Sequence, residues 1–554
     1  MPDPYVLKGI GGSPLDPDLF AVQVAGGRVT RTWTRSQWGS GVGGSIQVLD
    51  VAGASVLPGI DDSHLHGYEF GRAVTALDLR PETRPGLVDL QEALRTAEPE
   101  ANGWIRGLGW DDSRIAGSGP GGQLCAADLD AARADVPMIL TDVTGHQAVC
   151  NTIALRLAGL HDRPASDPAG GVIVRDDWGR PTGLLREAAV ALVNDVLPPI
   201  AIADKVSAIR AAQERLLASG VTAYTDPGLG PGARTLMDGT GDLEAVEAYR
   251  LLDSSGDLHV RVEVMLLFGG LGGTRADDVA AGLDQWGTPS RMPRYGNLGI
   301  AQVKVFADGI PRSRTAWMHE PYDDCTHGHL TVAGDTDDAR VAELRAIVQQ
   351  AAGRGWQVGV HTTGDRATEV VVDAMVEPDA QAAELRHYII HGDFTPIATL
   401  ERMANAGISL NANPSIRWMI GDGVDGIIGS ERGRSRQALR TAWELGVNVC
   451  SSSDAPVAPP DWRMMVAAAV SRATRTHPKA SDEQGLSMRE ALLSLTRNPA
   501  RQGHAETWRG SINTGMVADL VVMDGPIDTD EPWALPETPV RATIVGGHVR
   551  YGTV

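Results

Sequence analysis

Cysteine is scarce in this sequence: four residues in 554, at Cys125, Cys150, Cys325 and Cys450. None forms a Cys-x-x-Cys pair, so the sequence offers neither a thiolate zinc site nor a dithiol redox motif. Buried thiols in a reducing compartment are the expectation. Positive charge is also short. The formal net charge of −21 denies the chain the basic footprint that nucleic-acid binding needs and works against an anionic membrane surface. No apolar run approaches the ~20 residues of a membrane helix. The opening MPDPYVLKGIGG lacks the basic-then-apolar pattern of a secretory leader. These absences together predict a cytoplasmic protein that binds neither nucleic acid nor membrane.

What the chain does have is 42% apolar residues, enough for a large interior, in a length that calls for two or three structural units. Both ends look like short strands with glycine-rich turns: FAVQVAGGRVTRTW and SIQVLDVAGASVLPG at one end, GMVADLVVMDG and VRATIVGGHVRYG at the other. They predict one small β-sandwich built from residues 1–58 plus 505–554. The middle alternates strand-like and helix-like segments. LPGIDDSH, VTAYTDPG, HVRVEVMLLF, IAQVKVF, WQVGVH, HYIIH, GISLNAN and VNVCSSSD read as eight strands with helices between them. Thr395 and Pro396 read as an N-cap and first helical residue, and Ser487-Met488-Arg489-Glu490 as a capping box. Eight such repeats predict an α/β protein with a (β/α)8 TIM-like barrel over 59–504. About 135 residues separate His66 from the helix that starts near 203, too many for one βα connection. They predict an inserted subdomain at about 75–200, after the first barrel strand and over the barrel mouth.

Six residues that can donate electron pairs fall at the ends of those strands: His64, His66, Lys304, His361, His391 and Asp454. Parallel strands of a barrel deliver such groups to one face from rigid positions. His64 and His66 are two apart, so on an extended segment both imidazoles face the same way. A His-x-His alone is weak evidence, and a single buried histidine is more often a satisfied core residue than a ligand. Recurrence at equivalent strand ends favours a metal. Lys304 lies inside the apolar run IAQVKVF. It reads as a buried partner of Asp308, as an exposed lysine on an edge strand, or as a desolvated amine that has reacted with carbon dioxide to give an anionic carbamate ligand. Asp454 can serve both as ligand and as general base. Arg312 and Arg314 in DGIPRSRTAW, His146 in TGHQAVCN, and His327 and His329 are further candidates near the pocket, with a solvated or structural role as the plainer reading of each. His146 is the candidate for oxyanion stabilisation, and Arg312, His327 and His329 for substrate binding. Asp365 and Arg366 are expected to hold each other or to orient His361.

At this point the chain resembles the amidohydrolase superfamily, and within it the amidohydrolase family 3 branch (YtcJ-like, including N-substituted formamide deformylases). The resemblance rests on LPGIDDSHLH, GWIRGLGWDDSR, GGVIVRDDWGRPTGLLRE, VKVFADG with SRTA, VGVHTTGDRA, RHYIIHGD, SDAPV and GSINTGMVADLVVMD. It implies a metal-dependent barrel in which His64 and His66 bind a buried metal, carboxylated Lys304 bridges, His361 and His391 bind a second metal, and Asp454 activates water. It implies Zn2+, as one or two ions, with other divalent metals compatible with the same ligands. Arg314 lies in the matching SRTA part, which implies a catalytic or loop-supporting role. Arg312 stands where the family carries a small residue, and Gly392-Asp393 where it often has Ala-Gln. The reading is a hydrolase of a non-peptide carbon–nitrogen bond in a linear amide or carbamate, acting on a small-molecule substrate and compatible with a homodimer. Its rivals are deamination, ester hydrolysis, decarboxylation or retro-aldol cleavage on the same site, or a non-catalytic metal-containing binder.

Overall fold

The computed structural model describes residues 4–40, 46–81, 83–100, 102–111, 114–142, 147–161, 166–168, 171–232, 241–269, 273–477 and 483–554. Residues 69–211 form the body of one compact unit, and the segments before and after them form the other.

In the larger unit eight strands line up in sequence order: β1 Ile60–Asp62, β2 Val221–Leu229, β3 Arg261–Leu266, β4 Leu298–Phe306, β5 Gln357–Thr362, β6 Tyr388–His391, β7 Ser409–Ala412 and β8 Val449–Ser451. Every neighbouring pair is parallel. β8 and β1 are drawn together at the sheet's two edges. Ser63 Oγ donates to the Ser451 carbonyl at 3.0 Å, Ser453 N–H to Asp62 Oδ1 at 3.1 Å, and Asp454 N–H to the His64 carbonyl at 2.9 Å. This is the TIM-like barrel that the alternation predicts. Strands covered on both faces read as near-continuous apolar runs, and every residue of β2, β3, β5 and β6 is buried. A charged side chain inside such a run therefore needs a partner or a function.

Helices Leu243–Ser255, Ala276–Trp286, Asp337–Ala352, Asp365–Val376, Ile397–Ala406 and Pro414–Ile428 separate the strands. Thr336 caps the third, its side chain accepting from Ala339 N–H, with Asp337 and Asp338 in the first turn. The box at Ser487 and Glu490 forms as the sequence predicts. Helix Ile397–Ala406 starts one residue later than read from Thr395. Pro396 is itself extended and serves as N-cap, while Thr395 Oγ1 donates to the Gly392 carbonyl at 2.8 Å.

LPGIDDSH is not one strand. Val56–Pro58 pairs antiparallel with Leu520–Met523 in another sheet, and only Ile60–Asp62 enters the barrel. The chain changes sheets at Gly59, where a Cβ would stand 2.1 Å from Thr222 Oγ1. Two four-stranded sheets flank this point. One orders Arg28–Thr34, Leu19–Ala25, Tyr5–Lys8 and Gln47–Asp50; the other orders His548–Gly552, Val540–Val545, Leu520–Met523 and Val56–Pro58. Leu7, Val22 and Val29 of the first share an apolar core with Val56, Leu520 and Ile544 of the second.

The smaller unit carries its own six-stranded sheet, in the order Gly171–Arg175, Pro181–Glu187, Gln147–Cys150, Met138–Asp142, Ile105–Trp110 and Leu77–Asp78. Leu79, Ile105, Trp110, Leu140 and Leu184 form a core there. No described helix is long and apolar enough to cross a membrane.

Candidate active site

Six of the residues singled out in the sequence lie at the C-terminal ends of barrel strands. His64 and His66 follow β1, Lys304 lies in β4, His361 in β5, His391 ends β6, and Asp454 follows β8. The structure brings five of them together by ring and carboxylate contacts. Nε2 of His64 and Nε2 of His66 lie 3.3 and 3.2 Å from the same oxygen, Asp454 Oδ1. Ring centroids of His64 and His391 are 5.5 Å apart, and those of His361 and His391 4.6 Å. Lys304 Nζ is 4.7 Å from the centre of the Phe306 ring, which itself lies against His361. The Lys304 side chain is fully buried in a central strand, so it is not an exposed edge lysine. Nor is Asp308 its partner. The Asp308 carboxylate accepts backbone N–H groups from Trp317, Thr363 and Gly364, each at 2.9 Å.

Burial sets the electrostatics of the cluster. It drives the pKa of His64 well below the usual histidine value, with the neighbouring Lys304 amine adding to the effect. It does the same to His361, helped by His391 and Lys304. His391 is lowered too, by burial against the opposing pull of Asp454. These imidazoles are neutral at pH 7 and offer lone pairs. Burial brings Lys304 down to about 7, with Asp454 pulling the other way, so a large fraction of the amine is unprotonated near neutrality. Burial alone would raise Asp454. The contacts with His64 and His66 outweigh it and hold the carboxyl well below the usual carboxylate range.

The donor set fits a divalent cation. Ligand atoms of His64, His66 and Asp454 lie within 4.8 Å of one another, all buried, and Nδ1 of His64 is buried with no hydrogen-bond partner. The nitrogens that meet at Asp454 are the two Nε2 atoms, and two imidazoles with a carboxylate at that spacing are a donor set that a divalent cation accepts. Outer contacts fix the ring orientations. Asn413 Nδ2 donates to Ser452 O and Oγ, so its Oδ1 faces His391 Nδ1 at 2.6 Å as an acceptor. His391 Nδ1 carries the proton and Nε2 keeps the lone pair. His361 Nε2 donates to the Gly309 carbonyl at 3.2 Å, which leaves its Nδ1 as the lone-pair nitrogen. Behind His66 a helix begins at Gly67, where a Cβ would stand 2.4 Å from the Tyr224 ring. The next peptide N–H, from Tyr68, donates to Asp226 Oδ2 at 3.0 Å, and the Tyr249 hydroxyl donates to the same oxygen at 2.6 Å. His391 and Asp454 both adopt left-handed backbone, with φ of 68° and 58°.

The remaining candidates lie apart from this cluster or outside the described residues. His146 falls outside them. Arg314 is half-buried and pairs with Asp323 at 2.8 Å and with Asp324 at 3.6 Å, bracing the loop after β4. Arg312 lines a cavity of about 440 Å3 in which none of the six cluster residues takes part. His327 is exposed, with Nδ1 3.1 Å from the Met318 carbonyl, and His329 is exposed. Asp365 does not orient His361: its Oδ1 accepts the N–H groups of His319 and Arg366, and the Arg366 guanidinium lies 4.0 Å over the Trp317 ring. Sequence reading missed Asn413, Asp62, Asp226 and Tyr249. Asp226 carried the signal used for the others, a carboxylate late in an apolar strand, but TDPG looks like turn chemistry. Asn413 sits in SLNAN, where two amides inside a buried run were the available clue.

Comparison with known proteins places the chain in context. The model described as "Amidohydrolase family" matches residues 47–551. N-substituted formamide deformylase of Arthrobacter pascens is 28% identical over 548 residues, covering 96% of this chain and 94% of that one. The protein YtcJ of Bacillus subtilis (strain 168) is 27% identical over 513 residues, covering 91% of this chain and 90% of that one. A crystal structure described as an uncharacterized metal-dependent hydrolase from Pyrococcus horikoshii OT3 shares the fold. Its TM-score is 0.73 at 24% identity, over 99% of this chain and 100% of that one.

Proposed function

The chain belongs to the amidohydrolase family, and from that premise we propose that it hydrolyses a non-peptide carbon–nitrogen bond, in a linear amide or carbamate, with the help of a divalent metal. The observation that carries this reading is the meeting of His64 and His66 on one oxygen of Asp454 among buried, neutral histidines. The similarity to a formamide deformylase supports a linear amide. His64, His66 and Asp454 would hold one cation. Lys304, His361 and His391 would complete the site, Lys304 as a carbamate. Nitrogen and carboxylate donors of this kind suit Zn2+. When bound, the cation supplies a Lewis acid and a water whose pKa is lowered toward ~7.

This chain's own residues do the rest. Asp454, held ionised by its histidine contacts, accepts a proton from the attacking water at a carboxylate oxygen and delivers it to the leaving nitrogen. Asn413 and the Gly309 carbonyl keep His391 and His361 in the tautomers that present lone pairs inward. The partly deprotonated Lys304 amine is the nucleophile that carbamate formation requires. The substrate is a small molecule, and a reducing cytoplasm suits the three buried thiols.

The test is metal content and turnover together. His64→Ala, and separately His361→Ala, are expected to lose metal and at least three powers of ten in amide hydrolysis, about 4 kcal/mol of transition-state stabilisation, while circular dichroism stays native. Full metal content in His64→Ala would overturn the ligand assignment. 13C-labelled carbon dioxide should give a carbamate signal that Lys304→Ala abolishes, and a short carboxylic acid should partly restore that variant's activity.

A further inference from the structure

The cavity of about 440 Å3 that Arg312 lines has the volume of a small-molecule site and a two-part chemistry. Its apolar part is one face of helix Pro414–Ile428: Met419, Ile420, Val424 and Ile427. Val424 is buried in a cluster with Ala316, Met318 and Phe394, while Ile420 and Ile427 are only partly covered by it. The polar part is two guanidinium groups. Arg312 comes from the short 3-10 turn Pro311–Ser313 after β4, and Arg475 from the segment after helix Trp462–Ser471, held against the apolar helix by its N–H, which donates to the Trp418 carbonyl at 2.8 Å. Both arginines are exposed, and among the described residues neither guanidinium has an ion-pair partner. Asp422 also lines the cavity, but its carboxylate is engaged by Thr474 Oγ1 at 2.9 Å, by Thr476 Oγ1 and by His477 Nδ1 at 2.9 Å. Two guanidiniums without ion-pair partners among the described residues, against the one hydrogen-bonded carboxylate of Asp422, leave a net positive charge beside an apolar surface, which matches a carboxylate on an alkyl or aryl body.

Placement ties the cavity to the cluster. Arg312 follows β4, which carries Lys304, the helix follows β7 and Asn413, and Arg475 lies beyond the helix that comes after β8 and Asp454. Helix Pro414–Ile428 begins directly after Asn413, whose amide holds His391. At 1.5 Å per residue, Met419 lies on the order of 9 Å along the helix axis from that point. We propose that this cavity seats the remote part of the substrate, so that the amides or carbamates hydrolysed carry a carboxylate on an apolar chain or ring. The assignment of the cavity to substrate rests on the hydrolase reading; the cavity's affinity for amphipathic carboxylates does not.

Two measurements separate these. Octanoate titrated calorimetrically into protein stripped of metal by a chelator should bind, and octanamide should bind at least tenfold more weakly. Arg312→Ala combined with Arg475→Ala should weaken octanoate at least tenfold, and Arg312→Lys only partly. No binding, equal affinity for octanoate and octanamide, or an unchanged double variant would overturn the site. The metal-loaded enzyme is then given N-formyl-8-aminooctanoate and its neutral counterpart N-formyloctylamine. A kcat/KM at least tenfold higher for the charged compound, falling to near equality in the double variant, is the expected result. Equal turnover of both by the unaltered enzyme would overturn the cavity's role in substrate choice. Arginine-dependent octanoate binding without turnover of either formamide would overturn the hydrolase reading and leave the cavity as a carboxylate site.

Discussion

At the N-terminal ends of the barrel strands Asp61 meets Arg509 at 2.8 Å and Arg261 meets Asp519 at 2.6 Å, every partner almost wholly buried. About three residues further along β1, at the other end of the same barrel, His64 leaves a buried nitrogen without a partner and shares one carboxylate oxygen with His66. Burial is equally deep at both ends. What differs is the kind of pairing: at one end carboxylates meet guanidiniums of opposite charge, although Asp61 Oδ2 and Arg509 Nε lack a hydrogen-bond partner among the described residues there too, and at the other two histidine nitrogens share one carboxylate oxygen. Depth alone does not separate a structural polar group from a functional one; the chemistry of the groups gathered there does.

The sharpest way to break this comparison is to remove a partner at the ion-paired end. Arg509→Met leaves Asp61 buried beside Glu263, whose own carboxyl burial raises to about 7. It is expected to destabilise the metal-free protein by about 3–5 kcal/mol, read by urea unfolding. His64→Ala should change the same quantity by less, about 1 kcal/mol, because Asp454 keeps its contact with His66. Comparable losses in the two variants would erase the distinction.

A smaller effect sharpens it with a histidine that is satisfied. His387 is wholly buried, accepts Val358 N–H at 3.0 Å on Nδ1 and donates from Nε2 to the Ala380 carbonyl at 2.7 Å. Burial lowers its pKa to about 4, against about 6.5 in the unfolded chain. The unfolded state therefore binds more protons between those values, so this histidine's contribution is full above pH 6.5 and is lost as pH falls toward 4, by about 3 kcal/mol in all. The stability gap between the native chain and His387→Gln should narrow over that window. A gap independent of pH would show that His387 is not held neutral by its two bonds.

The smallest effect concerns the support behind His66. Asp226→Asn is expected to lower zinc affinity about 10–100-fold in a chelator competition, with Tyr249→Phe at or below the lower end, since the Tyr249 hydroxyl reaches this region through Asp226 and Tyr224. Unchanged affinity in Asp226→Asn would reduce this network to packing.

Much of the barrel was legible because its signal is periodic. Runs such as YIIH and IAQVKVF can be buried on both faces only in a covered parallel sheet, and helical segments such as the one with its capping box at Ser487 punctuate them. The ligand candidates were legible for the same reason: Lys304 or His361 in such a run contradicts its surroundings. What stayed hidden was three-dimensional convergence. The strand break at Gly59 depends on Thr222, 163 residues on, and nothing in LPGIDDSH announces it. Asp226 and Asn413 act through tertiary hydrogen bonds to residues far along the chain. Arg314 looked like a catalytic group by its position after β4, and only the fold reveals Asp323 and Asp324 beside it.

The left-handed backbone at His391 and Asp454 sets two costs against each other. Side chains other than glycine in that region cost about 1–2 kcal/mol each, and glycine relieves much of it. Glycine at 391 would also leave Asn413 Oδ1 without its histidine, and glycine at 454 would strip the shared carboxylate oxygen from His64 and His66. The same conformation at Tyr295, Arg386 and Arg472 shows that this chain tolerates such strain elsewhere, so the bend is a cost carried by the fold as a whole and the contacts it permits are what distinguish these two positions.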